Sequence, residues 1–268
     1  MDTLSSILEF QSPQDKFIFI FLSALVWYTT FITVIKLVHL PQYDKKTAVN
    51  VKQKIVALVY DVIVLNGPLY IYITRGITED LYDHPIDNFF LLESCGYYMA
   101  HLFIVVSNRI THKGQILHHL LTIFTIFAAV FTGQGQFGLL WLFIYQLSHF
   151  PLHGRALLKD IGKTYTKIYE IIEIIYFVTY LFERGIGGSW LMYFSIFGIN
   201  LPIYAPIVGS GLYIQSLYFC HQMCKLWPKK IAKYRERCQK NITYFWIEEN
   251  PEIEKLSYYR REEKEKIF

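Results

Sequence analysis

The sequence predicts an all-α, multi-pass transmembrane helical bundle of about seven helices. Three observations predict it: an apolar composition, long uninterrupted hydrophobic stretches, and loops whose charge alternates along the chain. Hydrophobic residues make up 53% of the 268 positions and charged residues only 18%. Soluble domains run nearer a quarter charged, so disordered, coiled-coil and nucleic-acid-binding classes fit poorly, and no nucleic-acid partner is expected. Tyr and Phe, 21 of each, add side chains that favour membrane interfaces and protein contacts.

A spanning helix needs roughly 20 mostly apolar residues. Seven stretches qualify, at 17–36, 55–74, 89–107, 115–132, 136–153, 164–184 and 189–226. The first starts too deep for a signal peptide and lacks a basic leading region and small-residue cleavage site, so it reads as an anchor. The last contains Pro202 and Pro206. It is expected to be one kinked span, or a short re-entrant piece followed by a span.

Loop charge gives an independent count. The first segment carries Asp2, Glu9 and Asp15, and the next loop Lys45, Lys46, Lys52 and Lys54. Glu79, Asp80, Asp83 and Asp87 then outweigh Arg75. Arg109 and Lys113 follow, then an uncharged Gly-Gln-Gly-Gln turn at 133–136, then Arg155, Lys159, Lys163 and Lys167. After a Gly-rich turn expected at 185–188, the tail brings Lys225, Lys229, Lys230, Lys233, Arg235 and Arg237. Basic and non-basic loops alternate over seven crossings, which places the N-terminus outside and the tail inside. The organisation is then an N-terminal segment with the first helix (1–49), a membrane domain (50–227) and a basic, aromatic-containing tail (228–268). That tail, with Tyr234, Tyr244, Phe245, Trp246, Tyr258 and Tyr259, reads as a surface or partner-contact segment rather than a folded module. The sequon Asn241-Ile242-Thr243 falls on the inside, where it carries little weight.

Polar groups inside spans are costly and mark where a membrane protein works. The main cluster is His118-His119, at the inside end of the fourth span. Adjacent side chains on a helix point about 100° apart, so the two imidazoles cannot chelate as an i,i+4 pair does. One of them could act as a general base while the other orients a substrate. The ordinary alternative is two histidines hydrogen-bonded at a helix end, and spacing alone favours it. The remaining polar candidates are Asp61, Glu93, His101, Gln146, Ser148, His149, His153, Glu170 and Glu173. His149 and His153 have a chelating spacing, but Pro151 lies between them and no third ligand accompanies them, so no metal site is predicted. Glu170 and Glu173 share a helix face near Lys163 and Lys167 and read as salt-bridged surface. Cys95, Cys220, Cys224 and Cys238 show neither metal spacing nor a disulfide framework. No phosphate loop, dinucleotide fingerprint, nucleophile elbow or zinc-protease motif occurs, and no cofactor is expected.

From the third span onward the order of features resembles the TLC-domain family, which includes ceramide synthases and small TLC-domain membrane proteins. His118-His119 match the family's paired histidines. Gln146-Leu147-Ser148 with Pro151 and Arg155 looks like the Glu-Leu-Ser-x-Pro segment and its following arginine. Ser94-Cys95-Gly96-Tyr97 resembles the family's Gly-Tyr element, and Arg184 the arginine closing its aromatic-rich sixth span. The resemblance implies a six-helix TLC-like barrel over about 50–227, with the first span as an extra N-terminal helix. It also implies a polar core or lipid-binding set of Asp61, Glu93, His101, Gln146, Ser148 and Arg155, with His118 and His119 catalytic if the protein is an enzyme.

The departures are chemical. His101 stands where small members carry an aspartate, Gln146 where they carry a glutamate, and Tyr60 where some carry a histidine; no carboxylate lies between Leu139 and Leu158. A histidine base without an acidic partner is a poor catalyst unless Glu93 or Asp61 takes over. The missing acids therefore favour a degenerate site in a lipid-binding or structural subunit of a membrane protein complex, with membrane lipids and other membrane subunits as partners. The alternative is an acyltransferase using His118-His119, with acyl-CoA as co-substrate. A transporter is a weaker third reading, since no inverted repeat is visible. Lys264 and Lys266 fit the endoplasmic-reticulum retrieval pattern and the resemblance agrees with that organelle. Rich use of Phe, Tyr, Ile and Lys, as AT-rich coding sequence gives, leaves a complex of the mitochondrial inner membrane as the alternative. Cysteine-accessibility labelling is expected to find residues 1–15 and 228–268 on opposite sides of the membrane; labelling of both from one side would overturn the seven-crossing count.

Overall fold

A computed structural model describes residues 10, 12–76, 84–111, 113–198 and 203–259. Asp2, Glu9, Glu79, Asp80, Asp83, Pro202, Lys264 and Lys266 lie outside the described residues. Helices are α1 (Pro13–Leu37), α2 (Lys45–Thr74), α3 (Pro85–Ser107), α4 (Lys113–Phe131), α5 (Gly135–Gln146), α6 (His149–Asp160), α7 (Lys167–Leu181), α8 (Gly188–Tyr193) and α9 (Tyr204–Gln239), with no strand among the described residues. The helices α1 to α4 are each long and apolar enough to cross a membrane unbroken. The protein is an integral membrane protein built as a helical bundle.

Several helices begin well before their apolar stretch, and the caps explain why. Ser12 and Asp15 form a capping box at α1, with Pro13 in the first turn. Asp44 accepts from the amides of Lys46 and Thr47, so α2 starts at Lys45 and carries Asn50, Gln53 and Lys54 as helical residues.

Cross-links gather the loops at two ends. At the basic end, Asp160 receives Lys54 at 2.5 Å and Asn50 at 2.8 Å, and Gln215 donates to the Gly114 carbonyl at 2.9 Å. At the opposite end, Arg75 pairs with Asp87 at 2.7 Å and Lys16 donates to the Val130 carbonyl at 3.0 Å. Helix α1 lies outside the bundle along α3 and leaves Phe17, Phe21, Leu25 and Val26 exposed to lipid. The approach needs Gly96, because a Cβ there would lie 2.5 Å from Ser23 and 2.8 Å from the Ala24 amide nitrogen. Trp27 completes the contact, packing edge-on to Tyr97 and Tyr60 and donating to Glu93 at 2.7 Å.

The fifth crossing is broken. Pro151 has no N–H to give and its ring conflicts with the carbonyl of Leu147, so the helix ends at Gln146 and resumes at His149. The two halves have different surroundings. Ten of the twelve residues of α5 are buried, against α2, α3, α4 and the α8 region. In α6 only Pro151 is buried, and α6 packs mainly on α2 and α7 at the rim. The centre of the bundle is therefore filled by α5 towards the non-basic end and left by α6 towards the basic end.

Two expectations about the last crossings are corrected. The glycines at 185–188 do not form a turn. A π-helical segment, Phe182–Gly187, joins α7 to α8, and a second, Phe194–Gly198, extends the rod. Glycine weakens a helix without ending it, and nothing at 185–188 forbids helical backbone. The stretch 189–226 is therefore divided between two helical elements. Residues 189–198 continue the rod from α7, and Tyr204–Gln239 form α9. Pro206 stands in the first turn of α9, where a missing N–H costs least.

The tail also differs from an open contact segment. Helix α9 runs past 227 to Gln239 with Pro228 inside it, and the chain then folds back. Ile242, Ile253, Leu256 and Tyr258 bury a small apolar cluster with Tyr165, and Tyr244 and Tyr259 pack against it. Tyr244 and Tyr258 are thus spent on internal packing, whereas Phe245, Trp246 and Ile247 stay exposed. Glu236 anchors the return, accepting from Lys240 at 2.8 Å and from the amide and hydroxyl of Ser257, both at 2.7 Å. The Lys240 hydrogen bond, with those from Ser257, holds its carboxyl at about 2 rather than 4.5. A lowered carboxylate stabilises the folded form above the ordinary value and loses that contribution as pH falls through the lowered one. Hydrogen exchange at the Ser257 amide, corrected for intrinsic rates, is expected to accelerate as pH drops from 4.5 towards 2. Glu236→Gln should remove that dependence; exchange that ignores pH in the unaltered chain would refute the anchor.

Candidate functional site

Below the end of α5 lies a chamber of roughly 310 Å³ between α3, α4, α6, α7 and α9. All five of its histidines, His101, His118, His119, His149 and His153, come from positions that the sequence marks. His101 receives Gln53 at 2.9 Å and lies 3.3 Å from the Tyr97 hydroxyl through Nδ1. Its ring meets that of His119 edge-on at 4.7 Å. Neither nitrogen of His119, nor Nε2 of His101, has a hydrogen-bond partner among the described residues, although both rings are buried. Such groups need a partner, and here the chamber is where one can sit. Although adjacent on α4, His118 and His119 both line this one cavity.

A second set forms a closed ring of interactions. Asp61, fully buried on α2, binds His153 Nδ1 at 2.7 Å and accepts from Gln146 Nε2 at 3.1 Å. The Gln146 carbonyl oxygen accepts from Tyr98 at 3.0 Å and contacts His149 Nδ1. His149 stacks near His153 at 5.9 Å, closing the ring. The acid missing from 139–158 is therefore supplied across the bundle by Asp61. A glutamate at 146 would set two carboxylates against each other, whereas an amide can donate to Asp61 and accept from Tyr98 at once.

The structure separates the other expected site residues from the chamber. Glu93 faces α1, holds Trp27 and does not line the chamber. Arg155 sits at the basic end, donating to Glu173 at 3.0 Å and lying over Tyr176. Lys230 also reaches Glu173, and Arg237 binds Glu170 at 2.7 Å. The two glutamates are salt-bridged as expected, with different partners from Lys163 and Lys167. Ser148 lies behind the chamber wall, its amide and hydroxyl both bound to Glu183.

Glu183 was not legible as a site residue, because 185–188 read as a turn that would put it at a membrane surface. In the continuous rod it lies mid-crossing and fully buried beside Arg184. Arg184 gives Nε to Glu183 at 3.0 Å, one terminal nitrogen to the Tyr145 carbonyl at 3.0 Å, and the other to Ser216 at 3.3 Å. Its guanidinium also lies 3.9 Å from the Tyr145 ring centre. Instead of closing the sixth span, it lines the chamber. The π-helical insertion lets consecutive residues turn inwards, and such insertions occur often at functional sites. Gly188 keeps this region close, since a Cβ there would meet the Tyr145 hydroxyl at 2.9 Å.

The chamber continues as a narrow apolar slot of about 40 Å³ lined by Thr122, Thr125, Ile126, Trp141 and Leu212. A further void of about 40 Å³ shares Thr125, Gly138 and Trp141 with it and extends to Thr132 and Gln134. One face of α4 thus runs from paired histidines to apolar and hydroxyl-bearing residues. The family model for the TLC domain matches residues 50–233. The chain belongs to the TLC-domain family. The TLC domain opens in the early turns of α2, ends within α9, and leaves α1 outside as the added N-terminal helix. Comparison with curated proteins gives no match.

Removing one partner of a buried ion pair leaves an uncompensated charge, at a cost of about 3–5 kcal/mol. Glu183→Ala is expected to destabilise the TLC domain by that order, and the double change Glu183→Met with Arg184→Met by clearly less. Thermal unfolding in detergent micelles measures both, and equal losses would contradict the pairing.

Proposed function

We propose that this TLC-domain protein holds an acyl lipid, with its polar end in the histidine chamber and its chain in the slot along α4. The observation that carries this reading is the adjoining of the two cavities, which share Tyr98, His118, Gln146, His149 and Arg184. Concave sites that are mostly apolar with a few convergent polar groups are the usual form of small-molecule sites. A lipid carbonyl or hydroxyl would find donors and acceptors in His101 Nε2 and the two ring nitrogens of His119, which have no hydrogen-bond partner among the described residues. A role as a subunit of a larger membrane assembly, in the endoplasmic reticulum or the mitochondrial inner membrane, belongs to the same reading. Its support is the exposed Phe245, Trp246 and Ile247 on the folded tail.

Acyl transfer is the second reading, and Asp61 favours it. A carboxylate bound to His153 Nδ1 fixes the tautomer of that ring and leaves Nε2 as an acceptor of a proton. His119 would orient the acceptor group or serve as the base itself, and a thioester donor would enter from the basic end.

Thr125→Phe fills the slot without touching a histidine. It is expected to lower lipid co-purified with the protein by about tenfold, a loss of roughly 1.4 kcal/mol of binding. Mass spectrometry of the extracted lipid reads the change, and undiminished lipid in that variant would end the chamber reading. Asp61→Asn should keep lipid bound but abolish transfer of a labelled acyl group from acyl-CoA. If the unaltered protein shows no transfer, the lipid-holding role stands alone.

A further inference from the structure

A second cavity of roughly 320 Å³ lies at the basic end, between α7, the last turns of α9 and the folded tail. It is separate from the histidine chamber. Arg155 over Tyr176, and Phe177 stacked on Trp227 at 4.1 Å, stand between the two in the seam of α7 and α9. We propose that this cavity binds the phosphate of an anionic membrane phospholipid.

Charge is the first argument. Arg155 and Lys230, the latter lining the cavity, share the single carboxylate of Glu173, and Arg237 is matched by Glu170, so these three cations meet two carboxylates. An incoming phosphate can draw Lys230 from Glu173, because Arg155 remains to neutralise that glutamate. Position is the second. Helix α9 turns from apolar to basic after Trp227, and such basic pockets between helices at a membrane surface bind lipid headgroups. The third is the wall facing the bilayer. Ile174 and Ile231 line the cavity and are 46% and 37% exposed, giving acyl chains a path along the bundle that a soluble phosphate compound would not need. Lys233 lies over the Tyr258 ring at 5.0 Å and Arg237 over Tyr244 at 4.0 Å, so the folded tail holds cations at the mouth. This site does not depend on what the histidine chamber does.

Native mass spectrometry of the full chain, released from micelles with added phosphatidylglycerol or phosphatidylcholine, tests the proposal. Phosphatidylglycerol should be retained about tenfold better, and Lys230→Gln with Lys233→Gln should abolish that preference. Lys230→Arg with Lys233→Arg should keep it, which guards against a variant that merely misfolds. Glu173→Gln, which frees Arg155 and Lys230, should raise retention. Equal retention of the two lipids, or a preference unchanged by the glutamine pair, would overturn the site. So would displacement of the lipid by inorganic phosphate, which would mark a site for soluble phosphate instead.

Discussion

The missing amide hydrogen of Pro151 shapes the interior more than any other local feature. It prevents the fifth crossing from continuing as one straight helix through the centre. One half, α5, fills the core almost completely; the other, α6, lies at the rim. The vacated centre is the histidine chamber, and the break points His149 and His153 into it. A straight fifth helix would close the chamber with its own side chains. The chemistry of the molecule therefore depends on a backbone constraint set two residues from the nearest functional imidazole.

The fully buried carboxylates Asp61 and Glu183 sit within a ring and a pair. Asp61 is shared by His153 and Gln146, and Glu183 is satisfied by Arg184 and Ser148. In a low-dielectric interior an unpaired carboxylate would be prohibitive, so each comes with its partners already in place. The exchange of an acid for Gln146 belongs to the same logic. The carboxylate has not been lost from the centre; it stands on α2, and an amide bridges it to Tyr98. What remains open among the described residues are both ring nitrogens of His119 and Nε2 of His101, which makes them the groups available to a guest.

The basic end has a different construction. There the charges are partly exposed and the carboxylates of Glu170 and Glu173 are crowded by cations and tyrosine rings. The tail folds back through Glu236 to wall this region, and so the aromatic residues of the tail divide into two groups. Tyr244 and Tyr258 hold the fold together, while Phe245, Trp246 and Ile247 remain outward. The two cavities are both lined by α7 and α9, one by histidines and the other by lysines, Arg237 and two glutamates.

The sequence by itself determined the class and the family, because apolar run length and the His118-His119 and Gln146–Arg155 segments are local properties. It also marked all five chamber histidines and Asp61. Apolar length alone places the helix starts too late, because the caps at Ser12 and Asp44 lie upstream of the apolar stretches. Only the tertiary structure decided which polar residues meet. Asp61 and His153 are 92 positions apart, and nothing local distinguishes Asp61 from Glu93, which turns to α1 instead. The glycines at 185–188 misled for a related reason. Glycine is compatible with both a turn and a helix, and packing against α5 settled the choice, carrying Glu183 and Arg184 from a predicted surface into the core. Spacing along a chain fixes which face a residue occupies, but which faces converge is set by the packing of the whole bundle.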